Sequence, residues 1–200
     1  MKELKEGDLR FTFSDGIPAL KYDETRHFQA FKDSIVEGKG VDLLFLKDDT
    51  IGLVEIKDFS GSESQASVRY RIRKGLRAGI VMKDGYLVEE DSLDIEVSQK
   101  AAHTLALLYG VATYPKYSKE SAEEFEPFLI TRPKIQVILF LEGNLGSDAR
   151  SKKMIMKNLQ DAIKKRMENW IYIPKIQVVD SQTYTGDLAS IFTVRTDQRS

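Results

Sequence analysis

Residues 40–59 read GVDLLFLKDDTIGLVEIKDF, two runs of branched and aromatic apolar residues parted only by Asp48-Asp49. Runs of this composition with so short a polar break read as two antiparallel strands joined by a tight loop. Val41, Leu43 and Phe45 alternate with Leu44 and Leu46, so both faces of the first strand are apolar. Such strands lie in the centre of a sheet that is covered on both sides, which points to an α/β sandwich.

Working outward, RFTF and ALKY read as extended pieces around the turn-like Ser14-Asp15-Gly16 and Pro18. From Asp23 to about Glu37, Phe28, Phe31, Ile35 and Val36 recur at helical spacing, and Gly38 and Gly40 supply the stop. Beyond the hairpin, residues 60–93 form a polar insertion with the basic run RYRIRKGLR and a hairpin expected around Lys83-Asp84-Gly85. A second helix is predicted from Leu93 to Gly110 through Ile95, Val97, Ala101, Leu105 and Leu108. After a loop with Pro115 and Pro127 come the strand KIQVILFLEGN, the amphipathic helix SKKMIMKNLQDAIKKRMENW and the strand KIQVVDS. That strand-helix-strand order predicts a parallel crossover docked onto the hairpin, giving a mixed sheet with helices on its faces.

With 200 residues the chain can bury one sizeable core, and one domain is expected. Hydrophobic residues at 42% and charged ones at 30% fit a packed globular fold rather than a disordered one. The absence of cysteine excludes disulfides, thiolate metal sites and a cysteine nucleophile. No apolar run could span a bilayer and MKELKEGDLR is polar, so a cytoplasmic location without membrane contact is expected. A net charge of -1 means that any nucleic-acid partner must be met by a local basic patch.

The hairpin also carries the chemistry. A two-residue loop sets Lys47 opposite Thr50 and, in the same register, Asp42 opposite Glu55. Like charges so placed are destabilising unless something compensates, and a divalent cation would do so. Alternation puts Glu55 and Lys57 on one face, so two acids and an amine converge. Hard oxygen ligands suit Mg²⁺ or Mn²⁺, which acidify a bound water for attack on a phosphodiester.

Val41-Asp42 followed by Glu55-Ile56-Lys57 on a hairpin resembles the PD-(D/E)xK restriction-endonuclease-like nuclease superfamily, and the helix-meander-helix-strand order over about residues 23–141 agrees with it. The resemblance implies a restriction-endonuclease-like three-layer sandwich and Mg²⁺- or Mn²⁺-dependent endonucleolytic cleavage of nucleic acid, DNA foremost. Since double-stranded cutting commonly needs two sites, it also implies a homodimer. It makes Asp42 and Glu55 the metal-binding carboxylates, the Ile56 carbonyl a main-chain ligand and Lys57 the water-activating lysine. Glu24 matches the extra acid that many members contribute, Asp23 could equally fill that place, and Gln99 matches a polar residue some members add. Valine rather than proline precedes the aspartate.

Two blander readings stand beside this one. Asp42, Glu55 and Lys57 could form an ordinary salt-bridge cluster at a strand edge, but the apolar residues around them call for a partner or a metal. The fold could also serve as a catalytically inactive module that binds nucleic acid or a protein. The run Arg69, Arg71, Arg73, Lys74 and Arg77, interleaved with Tyr70 and Ile72, reads equally as a phosphate-contacting arm or as solvated loop charge. His27 and His103 stand alone and read as packing or surface residues, and Trp170 reads as an anchor at a helix end.

Overall fold

The computed structural model describes residues 1–34, 38–61, 65–77, 79–83, 85–113, 123–146, 148–172 and 175–197. Ile35, Val36, Asp84 and Pro115, which entered the sequence reading, lie outside the described residues.

The elements are β1 (Lys2–Glu6), β2 (Leu9–Phe13), β3 (Ala19–Lys21), α1 (Arg26–Ser34), β4 (Leu43–Lys47), β5 (Thr50–Phe59) and α2 (Gln65–Arg71). They continue as β6 (Gly79–Lys83), β7 (Tyr86–Glu90), α3 (Leu93–Thr113), β8 (Lys134–Gly143), α4 (Ala149–Met167), β9 (Lys175–Val179) and β10 (Phe192–Thr196). A five-stranded sheet in the order β3-β4-β5-β8-β9 forms the centre. The β3, β4 and β5 strands are antiparallel neighbours, whereas β5, β8 and β9 run parallel. The sheet is therefore mixed, and the expected β8-α4-β9 unit is present.

The β4-β5 hairpin turns through Asp48-Asp49, with Asp48 at φ 54°. Aspartate tolerates this left-handed conformation better than most side chains, so a two-residue loop can close here. Phe45 pairs with Gly52, and a Cβ on Gly52 would fall 2.0 Å from the Phe45 ring. The aromatic side chain thus occupies the space that the glycine leaves in an otherwise branched strand.

The two faces of the sheet bury different layers. Leu44, Ile51, Leu53, Val137, Leu139 and Leu141 point into a core shared with Phe28 of α1, Val97, Ala101 and Leu108 of α3, and Leu159 and Ile163 of α4. Leu43, Phe45, Val54, Ile56, Ile138 and Phe140 point the other way, onto Leu9, Phe11, Phe13 and Phe192. Those four belong to a three-stranded antiparallel sheet in the order β1-β2-β10. The expectation of helices on both faces is corrected on this point: one cover is helical and the other is a small sheet built from the two ends of the chain.

Local differences have local causes. The predicted helix from Asp23 begins as a single 3-10 turn over Tyr22–Glu24 and becomes α1 only at Arg26. Thr25 separates the two, donating its hydroxyl to the Tyr22 carbonyl at 2.8 Å and accepting from the Phe28 N–H at 3.2 Å. The helix expected to stop at Gly110 runs on to Thr113, because Leu108 and Val111 on either side are buried and packing outweighs the glycine's poor propensity. Val41 precedes β4 and packs with the helical core, not with Leu43 and Phe45 as alternation suggested.

Candidate active site

The register Lys47–Thr50 to Leu43–Val54 holds as the loop length required, and Asp42 lies one residue before β4. Its backbone is fixed on both sides: its N–H donates to the Val54 carbonyl at 3.1 Å and its carbonyl accepts from the Tyr22 N–H at 2.8 Å. Its carboxylate reaches past Glu55 and accepts from the Ile56 N–H at 2.6 Å. A strand residue's N–H and C=O leave on the same edge, so the Ile56 carbonyl lies on the Asp42 side of β5.

Glu55 projects from β5 on the helical face and is fully buried. Lys57, two residues along the same face, puts its ammonium 2.9 Å from Glu55 Oε1. Across from them α3 brings Glu96 and Lys100, one turn apart. Lys100 Nζ lies 2.7 Å from Glu55 Oε1, 3.4 Å from Asp42 Oδ1 and 3.9 Å from Glu96 Oε1. Lys57 also reaches Glu96 Oε1 at 3.0 Å. Both ammonium groups therefore converge on one oxygen of Glu55, while Glu55 Oε2 is buried without a hydrogen-bond partner.

Arg71 closes the cluster from α2. It is buried, and its guanidinium pairs with Glu96 and with Glu90 of β7. This corrects its assignment to a phosphate-contacting arm, since a guanidinium sealed between two carboxylates presents nothing to solvent. Arg69, Arg73, Lys74 and Arg77 of the same run are exposed.

The titration behaviour follows from burial and crowding. Burial pushes the Glu55 carboxyl up to about 7; Asp42 and Glu96 act in the same sense, against the pull of Lys57 and Lys100. Burial likewise raises Asp42, against Lys100, Lys57 and the Ile56 N–H. Burial disfavours the Lys57 ammonium, but the charges of Glu55, Glu96 and Asp42 more than offset it and the group is held protonated. Glu96 is also buried, yet Lys57, Arg71 and Lys100 draw it down to about 2.

Of the two acids weighed as a third carboxylate, Glu24 is exposed and paired with Lys21 at 2.7 Å. Asp23 is turned inward: its Oδ1 is buried without a hydrogen-bond partner, and burial and the charge of Glu6 raise its carboxyl while Lys21 and Lys100 lower it. Gln99 lies on the site-facing side of α3 but accepts from Lys39 Nζ at 3.2 Å and touches neither acid. His103 accepts from the Lys39 N–H at 3.2 Å and His27 packs edge-on against Phe125, both serving packing as expected. Trp170 is half exposed and caps its own helix end by donating to the Arg166 carbonyl at 3.0 Å.

Glu96 and Lys100 are the site residues that the sequence reading missed. The signal was present: Glu96, Gln99, Lys100 and His103 are spaced as one polar stripe along a helix most of whose other positions are apolar.

The Asp42 and Glu55 carboxylates, the latter with its orphaned buried Oε2, and the Ile56 main-chain carbonyl make a donor set that fits one hard dication. No group of three or more His, Asp or Glu side chains arranged to hold a metal occurs among the described residues, so the carbonyl and water would have to complete the coordination. Among those residues no helix is long and apolar enough to cross a membrane.

Taken together these features define a mixed α/β protein with a buried acid-lysine cluster where β4 and β5 meet α3. The chain belongs to the family of unknown function DUF6661, whose match spans residues 25–194 and so includes every residue of the cluster. No curated protein and no solved structure matches it.

Proposed function

We propose that this protein is a divalent-cation-dependent phosphodiesterase of the PD-(D/E)xK type, cutting nucleic acid and DNA foremost. The observation that carries the reading is the convergence of Asp42, Glu55 and Lys57 on one face of the hairpin, with Glu55 Oε2 buried and without a hydrogen-bond partner among the described residues. Leaving such an oxygen unmatched is costly, and a bound cation would remove the cost.

Asp42, Glu55 and the Ile56 carbonyl would hold Mg²⁺ or Mn²⁺. Bound there, the ion supplies Lewis acidity toward water and toward a phosphate oxygen. Lys57 is held as an ammonium, so its part is to donate hydrogen bonds and neutralise charge gathering on the phosphate, not to accept the proton of water. The exposed Arg69, Arg73 and Lys74 flank Arg71 in the chain, and they would contact the nucleic-acid backbone.

One observation favours a second reading, a nuclease-like fold that does not cut. Lys100 sets its ammonium between Asp42 and Glu55, satisfying in part the charges that a dication would take. The two readings separate in a cleavage assay on linear and supercoiled DNA with Mg²⁺ or Mn²⁺. Under the first, wild type cuts and Asp42→Ala or Lys57→Ala loses about a hundredfold or more with the circular dichroism of the folded chain retained. Equal rates in wild type and variants would refute it. Absence of cleavage in wild type with either metal would favour the second, and calorimetric Mn²⁺ binding by wild type that is lost in Glu55→Ala would rule out the form of it in which the site no longer takes a metal.

A further inference from the structure

We infer that Lys100 is a resident stand-in for the metal: its ammonium occupies the place between the carboxylates, and the dication enters only by displacing it. This rests on the metal-dependent reading above. Lys100 reaches Glu55 Oε1 at 2.7 Å and Asp42 Oδ1 at 3.4 Å, the two side chains assigned to the cation, and among the described residues no other ammonium touches both. It is also largely buried, at 15% side-chain exposure, so it is a built element of the site and not a surface lysine folded over it.

The surroundings supply the alternative position that displacement needs. Lys100 comes from α3, whereas every assigned ligand comes from the hairpin, so its side chain can swing without moving a ligand. Glu96 lies one turn earlier on the same helix, 3.9 Å from Nζ, and Asp23 offers an inward oxygen without a hydrogen-bond partner. Glu96, already within ion-pair reach, can receive the ammonium once it leaves the hairpin. Lys57 behaves differently: Glu55 and Glu96 hold it at 2.9 Å and 3.0 Å, and it makes no ion pair with Asp42, so it can stay in place when the cation arrives. One lysine is therefore exchanged and the other retained.

An exchange of this kind makes occupancy a contest between two cations for the same oxygens. Without the metal the Lys100 ammonium offsets part of the acids' charge, which lessens the repulsion between two buried acids, and the affinity for the metal is lowered by the cost of releasing the ammonium. Binding should be weak and strongly dependent on metal concentration.

The test is calorimetric titration of Mn²⁺ into wild type, Lys100→Met, Lys100→Gln and Lys100→Arg, with thermal melts of each with and without Mn²⁺. Without the competing charge, Lys100→Met should bind about tenfold tighter or more, the direction set by deleting a like charge a few ångströms from the ion. Its melting temperature should fall in chelator and recover in Mn²⁺ by more than that of wild type. Lys100→Arg keeps the charge and should bind no tighter than wild type. If Lys100→Met fails to fold, the shorter and hydrogen-bonding Lys100→Gln carries the comparison. Wild-type binding with unchanged or weaker affinity in the uncharged variants overturns the role of Lys100 and leaves the metal reading standing. No binding in any of the four overturns both.

Discussion

Glu55 has no exposed surface and shares one of its oxygens between two ammonium groups, because β5 and α3 bring these charges together where water is excluded. Asp94, elsewhere on α3, shows the opposite outcome for an equally buried acid. It accepts from the Ser92 hydroxyl at 2.7 Å, the Gly75 N–H at 3.0 Å and Arg166 Nε at 2.6 Å, so every face of its charge is met. Burial alone would raise its carboxyl, yet these bonds to Ser92, Arg166 and Gly75 take it below 3.8. A carboxyl depressed on folding contributes stability that is present above its unfolded value and is lost as pH falls through the folded one. Asp94→Asn should therefore be about 1–3 kcal/mol less stable than wild type near neutrality. That gap should close as pH falls from the ordinary aspartate range through the lowered value of the folded carboxyl, where wild type protonates too. Urea unfolding at both ends of this range reads the difference, and a gap that stays constant with pH would show that Asp94 contributes shape rather than charge.

At the level of elements, α4 shows how a local signal fixes a boundary. Asp148 sits before the helix with extended backbone and accepts from the Ser151 N–H at 2.8 Å, the usual geometry of an N-terminal cap. Asp148→Ala should cost about 0.5–2 kcal/mol in thermal or urea unfolding, and Asp148→Ser should recover most of it. A null effect in the alanine variant would mean that tertiary packing of Met156, Leu159 and Ile163 sets the helix start alone. The elements legible in the sequence are the ones with strong local codes: the β4-β5 hairpin, α3, and the β8-α4-β9 unit. The same hairpin register made Asp42, Glu55 and Lys57 legible as a group before any coordinate. What escaped was set by partners distant in sequence. β1 has no buried residue and reads as a polar terminus; it becomes a strand because β2 supplies a ladder and β10 completes the sheet. Arg71 reads as one of five surface charges, and only the meeting of α2, β7 and α3 turns it inward.

The whole molecule is held by one sheet with two unlike covers, and the ends of the chain meet in the second. β10 pairs with β2, so residues from the last part of the chain complete a layer begun by the first. Phe192 is the joint of that layer. Its ring stands 5.5 Å from Phe11, 5.6 Å from Phe13, 5.8 Å from Tyr184 and 6.4 Å from Phe45, the last belonging to the central sheet. Truncating a fully buried aromatic leaves a cavity as well as lost contacts, so Phe192→Ala should cost about 3–5 kcal/mol and move the urea midpoint accordingly. The variant also separates the two faces. Val54 and Ile56 of β5 pack on the Phe192 side, while Asp42, Glu55 and Lys57, which the proposed function assigns to the metal site, lie on the helical side of the same hairpin. If the sheet is a rigid partition, Mn²⁺ affinity below the melting transition should match wild type despite the lost stability. A loss under about 1 kcal/mol would mean that the small sheet is a cover with little share in the core, since a buried ring with four aromatic neighbours cannot otherwise be removed so cheaply.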